Sequence, residues 1–188
     1  MTVFRDLCQH ILDIYENSAK AEADLVKVEI IEDFINDQLS ITLQDNGRGM
    51  NAEMVRRISD PWVTTRTTRK VGLGIPFLRQ TAEMCGGSFD LQSTPGKGTR
   101  THATFQHSHI DRPPLGDIVA TLTCIIVGYP QVDLLYHHAV ITDDEKQEYT
   151  LDTREIRAVL GDEVPLSDPA VLQFLRTQLE EGLRALKG

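Results

Sequence analysis

Three observations predict an α/β fold for this chain, with helices covering one face of a mostly antiparallel sheet and a small α/β unit at the C-terminal end. Period-two apolar alternation comes in neighbouring pairs, Val26–Ile30 with Leu39–Leu43 and Ser88–Gln92 with Thr99–Gln106, which reads as two hairpins. Helical stripes precede and separate those pairs. The chain has 188 residues, 40% apolar and 25% charged, enough for one packed core plus a modest appendage.

The first helix is expected over about residues 4–21. Phe4, Leu7, Cys8, Ile11, Leu12, Ile14 and Tyr15 recur at the three-to-four spacing that gathers apolar side chains on one face. In the first hairpin, Val26, Val28 and Ile30 alternate with Lys27 and Glu29, and Leu39, Ile41 and Leu43 with Ser40, Thr42 and Gln44, around an Asn36-Asp37 turn. Asn51 can cap a short helix to about Ile58, and a helix from about Gly74 to Met84 meets its stop at Gly86-Gly87. The second hairpin turns at Pro95-Gly96.

The polar, proline-containing stretch after Phe105, through Asp111-Arg112-Pro113-Pro114, reads as a boundary, so we expect one domain over residues 1–108 and a second, small unit over 109–188. Within the latter, Ile118–Val127 fits either an apolar helix or a buried strand. Val132–Val140 and Glu148–Leu151 fit strands, and Asp152 and Ser167-Asp168-Pro169 announce two helix starts.

The formal net charge is −9, and it is uneven: residues 1–106 carry 12 bases and 14 acids, residues 107–188 carry 7 and 14. With no polybasic run, nucleic acid is not an expected partner. Cys8, Cys85 and Cys124 are odd in number and widely spaced, which suits neither a disulfide framework nor a zinc site. No 18-residue apolar stretch and no leader pattern is visible, so a cytoplasmic protein without a membrane partner is expected.

Chemistry concentrates at four places. Asp13 and Asn17, four apart on the first helix, stack on one face, where an amide oxygen and a carboxylate can share Mg²⁺ and Asp13 can orient or deprotonate a water. Asp45-Asn46-Gly47-Arg48-Gly49-Met50 follows the second strand; a carboxylate there can accept from an exocyclic amine, as adenine has, and glycines admit close approach to a flat ligand. Pro61–Arg79 holds Arg66, Arg69, Lys70 and Arg79 without one acid, with Thr64, Thr65, Thr67 and Thr68 between them and Gly72-Leu73-Gly74 leading into a helix. That combination suits a phosphate cradle with a lid. Finally, Gly96-Lys97-Gly98-Thr99 turns into the last strand of the first domain and can set a hydroxyl beside Asp45.

Taken in order, Asp13-Ile14-Tyr15-Glu16-Asn17-Ser18-Ala19, Asp45-Asn46-Gly47-Arg48-Gly49-Met50, Gly72-Leu73-Gly74 and Gly96-Lys97-Gly98-Thr99 resemble the four boxes of the GHKL superfamily of gyrase B, heat-shock chaperone ATPases, histidine kinases and MutL. The resemblance covers about residues 4–106. It implies the Bergerat-type ATP-binding sandwich, with ATP and Mg²⁺ as cofactors. By it, Asn17 is the Mg²⁺ ligand, Asp45 the adenine-reading carboxylate, Gly47 and Gly49 close-approach glycines, Gly72 and Gly74 phosphate-loop glycines, and Thr99 a neighbour of the base. Met50, Leu73, Thr65, Arg66, Arg69 and Lys70 complete the expected nucleotide-binding set. Asp13 stands where the hydrolysing branches carry glutamate; it is one methylene shorter, about 1.5 Å of reach, and such misplacement can cost about 100-fold in rate. The chain is also similar to stand-alone bacterial histidine-kinase-like ATP-binding proteins found near iron-hydrogenase genes.

From this follow three expectations in order of preference. The first is an ATP-Mg²⁺-binding histidine-kinase-like ATPase or regulatory switch whose acidic C-terminal unit meets a protein partner. The second is a kinase transferring the γ-phosphate to a partner in trans, as anti-sigma-factor kinases do. The third is a non-catalytic adaptor.

Overall fold

A computed structural model describes residues 5–59, 74–161 and 163–186. Helix α1 (Leu7–Lys20) begins at Asp6, whose side chain accepts from the Gln9 amide at 3.0 Å and so satisfies one of the first-turn donors. Strands β1 (Leu25–Asp33) and β2 (Gln38–Asp45) form the expected hairpin, its turn held by Asp33, which accepts from the Asn36 backbone and side chain. Helix α2 (Ala52–Ser59) is capped by Asn51, which accepts from Met54 N at 2.8 Å. Helix α3 (Gly74–Met84) leads to the hairpin of β3 (Phe89–Thr94) and β4 (Gly98–Gln106).

The ambiguous apolar run resolves as helix α4 (Ile118–Gly128), because Asp117 caps it through Ala120 N at 2.9 Å and neighbouring helices α1 and the C-terminal α6 (Pro169–Ala185) flank it. Strands β5 (Asp133–Ile141) and β6 (Lys146–Asp152) follow, with α5 (Thr153–Leu160) between β6 and α6. Among the described residues no helix is long and apolar enough to cross a membrane.

One six-stranded sheet runs in the order β3-β4-β2-β1-β5-β6, and four of its five pairings are antiparallel. The exception is β1 with β5, parallel in register from Leu25 opposite Asp133 to Asp33 opposite Ile141. A parallel neighbour needs a crossover of a dozen residues or more, and the stretch containing α4 supplies it. The segment after residue 108, expected as a separate unit, therefore adds its strands to the same sheet: β1 is a central strand, with β2 on one side and β5 on the other.

Alternation decides the faces. Val26, Val28 and Ile30 of β1, Leu39, Ile41 and Leu43 of β2, Ala103 and Phe105 of β4, and Leu134 and Tyr136 of β5 are buried beneath α3, α1, α4 and α6, which lie side by side. Each such aliphatic side chain removed from water contributes about 1.5–3 kcal/mol before entropy is counted. Tyr15 of α1 is fully buried and donates to Val132 O just before β5 at 3.3 Å, a direct bond between the first helix and the last third of the chain.

Candidate functional site

The end of the sheet where β2 finishes and β4 begins faces the last two turns of α1 and the first turn of α3. Asp45, last residue of β2, lies in the inward row opposite Val26. Its Oδ1 accepts from Gly47 N at 2.9 Å and Thr99 N at 3.1 Å, and its Oδ2 accepts from Ser18 Oγ at 2.9 Å. A carboxylate offers about four acceptor directions, so three bonds fix its orientation and leave acceptor capacity on Oδ2. Ser18 was not singled out in the sequence, although its place directly after Asn17 on the helix was the available signal.

The loop after Asp45 is stitched to the β3–β4 hairpin. Ser93 Oγ accepts from Met50 N at 2.8 Å and lies 2.9 Å from both Gly98 O and Thr99 Oγ1, while Gly96 N donates to Arg48 O at 2.8 Å. Gly49 has φ +64°, and a Cβ there would stand 2.0 Å from Thr94 O, so this position admits only glycine for the packing of loop on hairpin itself. At Gly47 the near neighbour of a Cβ is Ala21 O at 2.6 Å, the carbonyl that also accepts from Arg48 N. Thr99 stands beside Asp45 as expected, but it is the backbone N–H that reaches the carboxylate; the hydroxyl pairs with Ser93, a residue legible only from hairpin register.

Asp13 is half-buried on α1. It accepts from Asn17 Nδ2 at 3.3 Å and from the backbone N–H of Gly74, the first residue of α3. Burial, then the neighbouring Glu16, push its carboxyl above the usual range, against the opposing pull of Asn17, Lys20 and that N–H. A Cβ on Gly74 would lie 1.9 Å from Asp13 Oδ2, so the glycine is what lets the carboxylate close on the helix N-terminus. His10, one turn before Asp13, is also buried and hydrogen-bonds the Gly74 backbone. Because Asn17 turns its amide nitrogen toward Asp13, its carbonyl oxygen is the atom of that side chain able to ligate a cation.

Thr65, Arg66, Arg69, Lys70, Gly72 and Leu73 lie outside the described residues. Among the described residues no group of three or more His, Cys, Asp or Glu side chains is arranged to hold a metal ion. A Mg²⁺ ion held by one or two protein oxygens, waters and phosphates requires no such group, so the donor set at Asn17 and Asp13 fits it. The site thus combines a fixed acceptor at a strand end, a glycine-lined turn, an amide and carboxylate pair, and a helix N-terminus suited to an anion.

Residues 2–109 match the model of the histidine kinase-, DNA gyrase B-, and HSP90-like ATPase family. The chain is 28% identical over 126 residues to a non-motile and phage-resistance protein of Caulobacter vibrioides, covering 62% of this chain and 15% of that protein. It is 30% identical over 93 residues to the sensor histidine kinase ZraS of Klebsiella oxytoca (49% and 20%) and 30% over 99 residues to sporulation kinase E of Bacillus subtilis (52% and 13%). The match thus spans no more than a fifth of the length of any of these three relatives. A crystal structure of the N-terminal domain of a DNA repair protein shares the fold at TM-score 0.51 and 17% identity, over 85% of this chain and 58% of that one. With more than half its length matched by the family model, the chain belongs to the histidine kinase-, DNA gyrase B-, and HSP90-like ATPases.

Proposed function

We propose that this chain is an ATP-Mg²⁺-binding, histidine-kinase-like regulatory ATPase or switch of the cytoplasm, in which the acidic segment 109–188 carries the contact with a protein partner. The observation that supports this reading most is the Asp45 carboxylate, held by Ser18, Gly47 and Thr99 with acceptor capacity to spare. In this reading Asp45 accepts from the exocyclic amine of adenine, with Thr99 beside it and Gly47, Gly49 and Met50 forming the turn against the base. Asn17 would hold Mg²⁺, which when bound neutralises phosphate charge. Thr65, Arg66, Arg69, Lys70, Gly72 and Leu73 would cover the phosphates. Asp13 and a phosphate are both acceptors for the Gly74 N–H, so nucleotide entry would release Asp13, whose raised proton affinity suits it to take a proton from water.

Titration of the intact chain with ATP and ADP in Mg²⁺ tests the binding. Asp45→Asn should weaken adenine nucleotides at least tenfold, roughly the loss of one charge-assisted hydrogen bond, and absence of any nucleotide affinity in the native chain would favour a non-catalytic adaptor. Phosphate release should vanish in Asp13→Asn while binding survives. Phosphoryl transfer in trans is a second reading, supported by the kinase names of the relatives; label from γ-³²P-ATP on a partner protein, rather than as free phosphate, would select it.

A further inference from the structure

The opposite end of the sheet carries a second constellation, which the nucleotide reading does not use. Glu32 lies six residues along β1 from Val26, about 20 Å from the Asp45 end at a strand's rise per residue. It shares one register row with Leu39 of β2, Val140 of β5 and Gln147 of β6. Its Oε1 is 2.9 Å from His138 Nε2 and its Oε2 is 3.1 Å from His107 Nε2; His138 Nδ1 is in turn 2.8 Å from the hydroxyl of the fully buried Tyr136. The Tyr136 hydroxyl can donate to Nδ1, which sets the proton of His138 on Nε2, facing the carboxylate. Two ring N–H donors fix Glu32 and hold its carboxyl down to about 2, so it carries a full negative charge.

Glu32 also lines a cavity of about 440 Å³ together with Phe34, Val140, Gln147, the buried Leu186 beyond α6 and a second acid, Glu145. No basic side chain is among its described lining residues. A carboxylate with two of its acceptor directions taken has two left, and with its side chain 21% exposed Glu32 can still meet a ligand there. The volume falls in the range of small-ligand sites, about 300–1,000 Å³. The half-exposed Phe34 ring, tilted at 52° against His107 with 4.4 Å between centroids, also lines the cavity, where an aromatic face can attract a cation.

We propose that this cavity binds a small organic cation, a protonated primary amine with an apolar body, its ammonium on Glu32 and Gln147 and its body along Phe34, Val140 and Leu186. The site is separate from the nucleotide site, and neither reading rests on the other.

The test is isothermal titration of the intact chain at pH 7.5 with hexylammonium chloride, 1-hexanol and sodium hexanoate as matched probes. Hexylammonium should bind saturably, at least about tenfold tighter than hexanol, and hexanoate should give no saturable heat. Glu32→Gln should weaken hexylammonium about tenfold, and Val140→Trp, which obstructs the cavity and keeps the charge, should weaken it by a similar factor. A cooperative thermal melt establishes that each variant is folded; if Glu32→Gln does not fold, Val140→Trp decides alone. Equal affinity for hexanol and hexylammonium, undiminished binding in a folded Val140→Trp, or no saturable binding of the amine overturns the proposal.

Discussion

Ser18 and Asp45 are 27 positions apart, yet the hydroxyl of one fixes the carboxylate of the other at 2.9 Å. Ser18→Ala leaves Asp45 with two donors instead of three. The expected loss is about 1 kcal/mol of stability and about fivefold in nucleotide affinity, read by thermal melting and by titration with ADP. Two other single groups set the acid response. His10 is pushed down to about 4 by burial, so neutral His10 adds stability that is complete above the unfolded value near 6.5 and fades as pH falls from there toward 4. Glu32 is held at about 2 chiefly by the His138 hydrogen bond, so its share is complete above about 4.5 and fades between there and 2. Denaturant midpoints measured from pH 7 to 3 should fall in two stages, and Glu32→Gln should flatten only the lower one.

At the level of elements, the contact of α1 with α3 turns on a missing side chain. Gly74→Ala would ordinarily favour a helix by up to about 1 kcal/mol, yet its Cβ would meet Asp13 Oδ2 at 1.9 Å. Gly74→Ala alone should therefore destabilise the chain, while in an Asp13→Ala background the same change should cost less, only the residue-13 Cβ at 3.1 Å remaining in its way; a double-mutant cycle of melting midpoints checks the coupling. The sequence made α1, both hairpins, α2 and α3 legible because each rests on local periodicity and on caps such as Asn51 and the Gly86-Gly87 stop. The order of their motifs also pointed to one shared site for Asp13, Asn17, Asp45 and Thr99, and the structure brings these residues to one end of the sheet. The sequence could not show that Asp13 closes on Gly74 or that the Thr99 hydroxyl turns to Ser93, since those contacts depend on where separate elements come to rest. The run Ile118–Val127 is ambiguous for a related reason: a largely apolar segment shows no clear period, and the Asp117 cap together with the flanking helices identifies it.

For the whole molecule, the parallel join of β1 to β5 was the feature least visible beforehand. Nothing local marks a pairing between strands more than a hundred positions apart, and the proline-containing stretch near residue 113 resembles a linker while serving as a crossover. The acidic segment is thus both the proposed partner contact and a structural part of the sheet. A chain cut after residue 108 uncovers the whole edge of β1 and the side of α1 that holds Tyr15 against Val132. Such a fragment should self-associate and melt without cooperativity, as seen by size-exclusion chromatography and calorimetry; a monomeric fragment with a sharp transition would contradict this expectation.

The same join has a consequence during synthesis. β4 ends at Gln106 and β5 begins at Asp133, so a nascent chain emerging from the ribosome at about 5–20 residues per second waits roughly one to five seconds with the flank of β1 open. Through that interval Leu25–Asp33 is an adhesive ribbon, and a ribosome-bound chaperone that grips extended polypeptide has its natural moment to act.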